Sequence, residues 1–203
     1  PSKSQAHRML ICGAFADKPT VMHCSNTNRD IEATAACLNA LGADIRRTRE
    51  GYTVQPITRL PDTALLPCRD SGSTLRFLLP VVGALGIDGK FLMEGRLSRR
   101  PLSPLWEEMQ RMGCRLSWES DNILHCTGKL RSGEYCIDGS VSSQFISGLL
   151  FAAALIPGRN CINITGKLES RPYVDMTLHA LERFGCRIDN FSADGSKKLT
   201  SPG

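Results

Sequence analysis

From residue 145 to residue 156 the chain is almost wholly apolar, and this run follows directly on Gly139-Ser140-Val141-Ser142-Ser143-Gln144. A helix apolar on every side must be buried, and the small hydroxyl residues before it are good helix starters. The same polar-then-apolar order occurs twice more. Ser2-Lys3-Ser4-Gln5-Ala6-His7-Arg8 leads into residues 9–16, and Asp70-Ser71-Gly72-Ser73-Thr74-Leu75-Arg76 leads into residues 77–85. Each apolar run is followed by a strand-like stretch, at 20–24, 89–94 and 160–165, and then by a second helix with one apolar face. Leu102, Leu105, Trp106, Met109 and Met112 fall at i, i+3, i+4, i+7 and i+10. Tyr173, Met176, Ala180, Leu181 and Phe184 repeat that stripe, and Ile31, Leu38 and Leu41 echo it.

Each second helix ends in a matching phrase: Leu41-Gly42-Ala43-Asp44-Ile45, Met112-Gly113-Cys114-Arg115-Leu116 and Phe184-Gly185-Cys186-Arg187-Ile188. Glycine stands in each where a helix C-cap belongs. The three glycines lie 71 and 72 residues apart. Two short alternating strands follow, as at 115–118 and 123–127 around the turn Ser120-Asp121-Asn122. Pro101 and Pro172 stand where a first-turn proline belongs, and Pro80 is expected to distort the second buried helix. The expected fold is therefore α/β: one domain of three repeats (1–66, 67–137 and 138–203), about 70 residues each. Each repeat reads helix, strand, helix, strand, strand, and the three buried helices should run parallel, side by side.

Composition narrows the function classes. A chain of 203 residues can bury a full core, and 41% hydrophobic with 22% charged residues is ordinary for a globular protein. No apolar run reaches the length of a membrane span, and no signal peptide precedes Pro1, so no membrane partner and a cytoplasmic location are expected. The net charge of +5 is modest, and aromatics at 6% are too sparse for a nucleic-acid face. Basic residues cluster at Arg96-Leu97-Ser98-Arg99-Arg100, at Arg46-Arg47-Thr48-Arg49 and at Ser196-Lys197-Lys198, the last beside the turn Ala193-Asp194-Gly195-Ser196. The nine cysteines form no Cys-x-x-Cys pair and have no His at ligand spacing, so no metal is expected. Cys12, Cys37, Cys114, Cys136, Cys161 and Cys186 occupy apolar positions and read as buried free thiols. His7, His23, His125 and His179 are scattered and receive no catalytic role.

The chemistry lies in the helix starts. A helix N-terminus presents free backbone N–H groups and the positive end of its dipole to an anion. Ser142 and Ser143 either cap their helix or help to bind such an anion; recurrence of the device at three places favours binding. Five groups can meet at one end of the helices: Lys3 and Ser4 with Arg8; Gly72 with Ser73; Arg100; Ser142, Ser143 and Gln144; and Ser170 with Tyr173. Many donors, several cations and few acids describe a receptor for a doubly anionic small molecule.

The same segments carry a family resemblance. Lys3-Ser4 with Arg8 resembles the Lys-Ser-x-x-x-Arg signature of the 5-enolpyruvylshikimate-3-phosphate (EPSP) synthases. The 70–76 stretch resembles their Asn-Ala-Gly-Thr-x-x-Arg loop, with Asp70 for Asn and Ser73 for Thr. Arg99-Arg100-Pro101-Leu102 is similar to their Arg-Pro segment. Gly139-Ser140-Val141-Ser142-Ser143-Gln144-Phe145 is similar to Gly-Ser-x-Ser-Ser-Gln-Phe, and 170–177 to Ser-Lys-Pro-Tyr-x-x-x-Thr, with Arg171 for Lys.

The resemblance implies transfer of the enolpyruvyl group of phosphoenolpyruvate to the 5-hydroxyl of shikimate 3-phosphate, without a cofactor. It implies that Ser142, Ser143 and Ser170 hold the shikimate phosphate, and that Ser4, Arg8 and Tyr173 line the ring. Gln144 would bridge both substrates; Lys3, Gly72 and Arg100 would face phosphoenolpyruvate, with Lys3 also handling the proton. Members of the family are about twice this long, with two lobes of an inside-out α/β barrel. The chain is therefore expected to be the N-terminal, shikimate-phosphate-binding lobe of a monomeric enzyme, with the second lobe as its missing partner. A lobe of the UDP-N-acetylglucosamine enolpyruvyl transferase and a non-catalytic anion-binding domain are the alternatives.

Overall fold

The computed structural model describes residues 2–24, 27–186, 188–193 and 196–201, with those from 189 onward by their backbone alone. Arg187 in the third glycine phrase, and Asp194-Gly195 in the expected turn at 193–196, lie outside the described residues. The first elements are α1 (Lys3–Ala14), β1 (Thr20–His23), α2 (Arg29–Ala40), β2 (Asp44–Arg47) and β3 (Gly51–Gln55). Next come β4 (Thr63–Arg69), α3 (Gly72–Leu85), β5 (Asp88–Met93), α4 (Leu105–Arg111), β6 (Cys114–Ser120) and β7 (Ile123–Gly128). The last are β8 (Glu134–Asp138), α5 (Ser143–Leu155), β9 (Asn160–Thr165), α6 (Arg171–Arg183), β10 (Asp189–Ala193) and β11 (Ser196–Ser201). The fold is mixed α/β, as the alternation of apolar periods predicts.

The strands form three sheets, ordered β1-β3-β2, β4-β5-β7-β6 and β10-β11-β9-β8. In the first, β3 pairs antiparallel with both neighbours, so that Val54 lies opposite Thr20 and Ile45. Parallel pairs join β4 to β5, with Leu66 opposite Phe91, and β8 to β9, with Ile137 opposite Ile164. The chain forms two compact units, one holding Pro1–Leu75, Ile87–Arg100 and Ser117–His125, the other Arg76–Gly86, Pro101–Leu116 and Cys126–Gly203. The boundary falls within α3, β6 and β7.

In the first unit, Leu10, Ile11, Ile31, Leu38, Leu66 and Phe91 are fully buried. Ser2 and Gln5 close a reciprocal capping box on α1, and Asn28 Oδ1 caps α2 by accepting from the Asp30 and Ile31 N–H groups at 3.0 Å. Gly42 ends α2 with φ 108°, where a Cβ would also lie 2.7 Å from the Arg59 carbonyl oxygen. Conformation and close approach both require glycine there.

In the second unit α5 is buried continuously from Phe145 to Ala153, as its unbroken apolar run demands. The Phe77 and Phe151 rings meet edge to face at 5.8 Å. Gly148 brings α5 against the backbone of α3: a Cβ there would lie 2.3 Å from the Arg76 carbonyl oxygen and 3.0 Å from Pro80 Cγ. Glu108, buried on α4, accepts from Arg111 Nε and Nη2 at 2.9 and 2.7 Å and from the Cys136 N–H at 2.5 Å. That carboxylate fastens α4 to β8.

Three local expectations need correction. Pro101 does not open a helix. A short 3-10 turn spans Leu97–Arg99, and α4 begins only at Leu105, because Pro101 and Pro104 bias the residues before them away from helical backbone. On α6 the buried face is Val174, Thr177, Ala180 and Leu181, rotated from the expected stripe, so that Tyr173 is 46% exposed. Pro80, where a distortion is expected, lies inside α3. Cys136 is exposed, because Tyr135 and Ile137 take the core side of β8, and Cys186, just after α6, is half-buried. Cys12, Cys37, Cys114 and Cys161 are buried free thiols as expected.

Candidate functional site: two clusters of helix N-termini

In the first unit, buried hydroxyls tie three helix starts together. His7 Nδ1 lies 2.7 Å from Thr34 Oγ1 on α2, which lies 2.7 Å from Thr74 Oγ1 on α3. Thr74 in turn donates to Ser71 Oγ at 2.7 Å or to the Asp30 carbonyl at 3.2 Å. At the same place the Lys3 ammonium is bound by the Asp30 carboxylate. Ser4 is half-buried, and its carbonyl accepts from Arg8 Nη1 at 2.6 Å; Arg8 is 2% exposed. Gly72 is buried at the first position of α3. The structure thus gathers Lys3, Ser4, Arg8 and Gly72 around one hydrogen-bonded knot. Arg100 is exposed in extended backbone after the 3-10 turn, five residues before α4 and not at its mouth.

Burial, the largest cause, pulls the His7 imidazole down to about 4; Asp30 opposes the shift while Lys3 and Arg8 add to it. His7 is therefore neutral in the folded chain where an unfolded histidine near 6.5 would be charged. Below 6.5 the unfolded chain binds the extra proton, so His7 makes stability fall as pH drops from 6.5 to about 4 and adds no slope above that window. Urea midpoints measured across this range should show that slope, and His7→Asn, which keeps a partner for Thr34 but cannot titrate, should flatten it.

In the second unit the starts of α5 and α6 lie together. The Gly139 N–H donates to the Thr165 carbonyl at 2.9 Å, and the Glu169 N–H donates to the Gly139 carbonyl at 3.1 Å. Gly139 permits this crossing, since a Cβ would lie 3.2 Å from Leu168 Cα and 2.7 Å from Ile164 Cγ2. Deeper in, Ser147 and Thr177 hydroxyls meet at 2.8 Å. Ser142 is the N-cap of α5, its Oγ accepting from the Gln144 N–H at 3.2 Å. Capping uses an acceptor lone pair and leaves the hydroxyl proton for donation, so cap and ligand contact are compatible. Ser143 and Gln144 are half-buried in the first turn. Ser170 has left-handed backbone at φ 54° and ψ 37°, a conformation uncommon outside glycine and frequent at functional sites. Tyr173 stands exposed in the first turn of α6, and Arg171 Nε pairs with Asp175 Oδ2 at 3.3 Å.

One residue of this cluster was not singled out by the sequence. Arg76, one turn inside α3, donates through Nη1 to Gln144 Oε1 at 2.9 Å and through Nη2 to the Pro101 carbonyl at 3.3 Å. The available signal was its place in the 70–76 motif, a cation one turn into a buried helix like Arg8 in α1.

The fold is that of the EPSP synthases. Two solved structures of EPSP synthase from Acinetobacter baumannii resemble this chain with TM-scores of 0.72 and 0.73 at 19% identity. They cover 98% and 100% of it and 45% and 46% of their own length. The chain belongs to the EPSP synthase (3-phosphoshikimate 1-carboxyvinyltransferase) family, whose profile matches residues 1–201. Relatives named 3-phosphoshikimate 1-carboxyvinyltransferase are 38% identical over 195 residues in Clostridium perfringens and 39% identical over 194 residues in Clostridium kluyveri. These alignments cover 94% and 95% of this chain but 46% of each relative, so the chain spans about half their length.

Proposed function

We propose that this chain is the shikimate-3-phosphate-binding part of an enzyme that moves the enolpyruvyl group of phosphoenolpyruvate onto the 5-hydroxyl of shikimate 3-phosphate, releasing phosphate. The observation that carries the reading is the paired start of α5 and α6, with Ser142, Ser143, Gln144, Ser170 and Tyr173 at helix starts whose preceding loops bond to each other. Hydroxyl donors at a helix N-terminus suit a phosphate dianion, whose charge the dipole offsets. In this reading Ser142, Ser143 and Ser170 hold the phosphate, while Tyr173, Ser4 and Arg8 line the shikimate ring. Gln144 touches both substrates, and Lys3, Gly72 and Arg100 face phosphoenolpyruvate. Lys3 is the proton-handling group, held in place by its ion pair with Asp30.

The same reading makes the chain one of two lobes of a cytoplasmic, monomeric enzyme, built of three units at 1–66, 67–137 and 138–203. The element order and the presence of three sheets support a three-fold division. Among the described residues, no helix is long and apolar enough to cross a membrane. The test is calorimetric titration of the chain with shikimate 3-phosphate. Ser143→Ala should weaken binding about ten-fold or more, since a hydrogen bond to a charged group contributes roughly 1.5–3 kcal/mol. Arg100→Ala should leave this binary affinity unchanged, because Arg100 is assigned to the other substrate. Equal affinities for wild type and Ser143→Ala would remove the α5 start from the phosphate site.

A further inference from the structure

We propose that Arg76 is a positioning residue for Gln144, fixing its side-chain amide with the oxygen turned inward and the Nε2 donors presented to the anionic substrate. The inference rests on the reading of the α5 start as a substrate site. An arginine has only donors, so the amide branch it touches must be the oxygen. The 2.9 Å bond from Arg76 Nη1 to Gln144 Oε1 therefore decides which end of the amide faces away from Arg76. Left to itself, the terminal torsion of a glutamine is broad and roughly two-fold. Near an anion the two ends are far from equivalent, because one donates to it and the other repels it.

The guanidinium is itself held on more than one side. Nη2 donates to the Pro101 carbonyl at 3.3 Å, and the guanidinium carbon lies 5.4 Å from the centre of the Phe145 ring. Phe145 is 1% exposed and follows Gln144 directly, so platform and amide share one rigid turn of α5. A planar fork held over a buried ring is pre-organised in a way that a lysine ammonium is not. Sixty-eight residues separate Arg76 from Gln144, yet a single bond sets the polarity of the site. Arg76 also contributes charge, so the test must separate charge from position.

Arg76→Lys keeps the charge and loses the fork. In the ligand-free chain, the Gln144 side-chain amide should show a rigid 15N heteronuclear NOE in wild type and a mobile one in Arg76→Lys, with unchanged far-UV dichroism. Shikimate 3-phosphate affinity should fall about five- to ten-fold in Arg76→Lys, and by no more than a trace when the same change is made in Gln144→Ala. A mobile Gln144 amide in wild type overturns the proposal. So does an Arg76→Lys loss of equal size with and without Gln144. If wild type does not bind shikimate 3-phosphate but its amide is rigid only with Arg76 present, the substrate reading falls and the positioning role stands. If wild type binds and Arg76→Lys binds equally well, the positioning role falls alone.

Discussion

Gly148→Ala should destabilise the chain by about 2 kcal/mol or more, although alanine is the better helix former by about 1 kcal/mol. The sign is set by contact across helices. A Cβ at position 148 would lie 2.3 Å from the Arg76 carbonyl oxygen and 3.3 Å from the carbonyl carbon. Both are backbone atoms, so no side-chain rotation relieves the overlap, and α5 must move away from α3. Interiors are packed too tightly to absorb such a shift locally, and overpacking costs about 1–3 kcal/mol or more. Pro80 sharpens the effect, because its Cγ stands 3.0 Å from the same point. The displacement also separates Arg76 from Gln144, so ligand affinity should drop with stability. Urea unfolding followed by circular dichroism checks the first effect; a midpoint at or above wild type would mean that the helices do not approach as closely as described.

The chain alone should release no phosphate from shikimate 3-phosphate and phosphoenolpyruvate. Two protons have to move: one to the enol carbon, and one from the 5-hydroxyl. Lys3 can serve one of these positions. The carboxylate beside it, Asp30, is bound to the same ammonium, so the two act at one place. Asp175 is paired with Arg171 on α6. Orientation and pre-paid entropy supply on the order of 7–11 kcal/mol of a barrier when a site closes on both reactants, and half of a cleft forfeits much of it. Phosphate release should be absent with the purified chain and appear when a separately made second half of a relative is added. Turnover by the chain alone, abolished by Lys3→Ala, would place the catalytic groups entirely within these residues and overturn the two-lobe reading.

Much of this was legible in the sequence because it is local. An unbroken apolar run gave the buried α5, and Ser142 announced its cap, since both depend on residues within one turn. Gly42 and Gly113, at φ 108° and 119°, ended their helices as written, because only glycine accepts that backbone freely. Pro101 misled, as its neighbour Pro104 prevents a helix from starting between them. The stripe on α6 was misplaced because periodicity gives a face's spacing, while its rotation is set by what packs against it; Tyr173 turns outward and Val174 inward.

What the sequence alone determined, then, is the kind and order of elements and the donors at their starts. Tertiary structure decided how those donors are aimed. The bond from Arg76 to Gln144, the chain of hydrogen bonds from His7 through Thr34 to Thr74, and the approach of Gly148 to the Arg76 carbonyl join residues far apart in sequence. No local pattern encodes such meetings, because they depend on where packed helices bring their side chains.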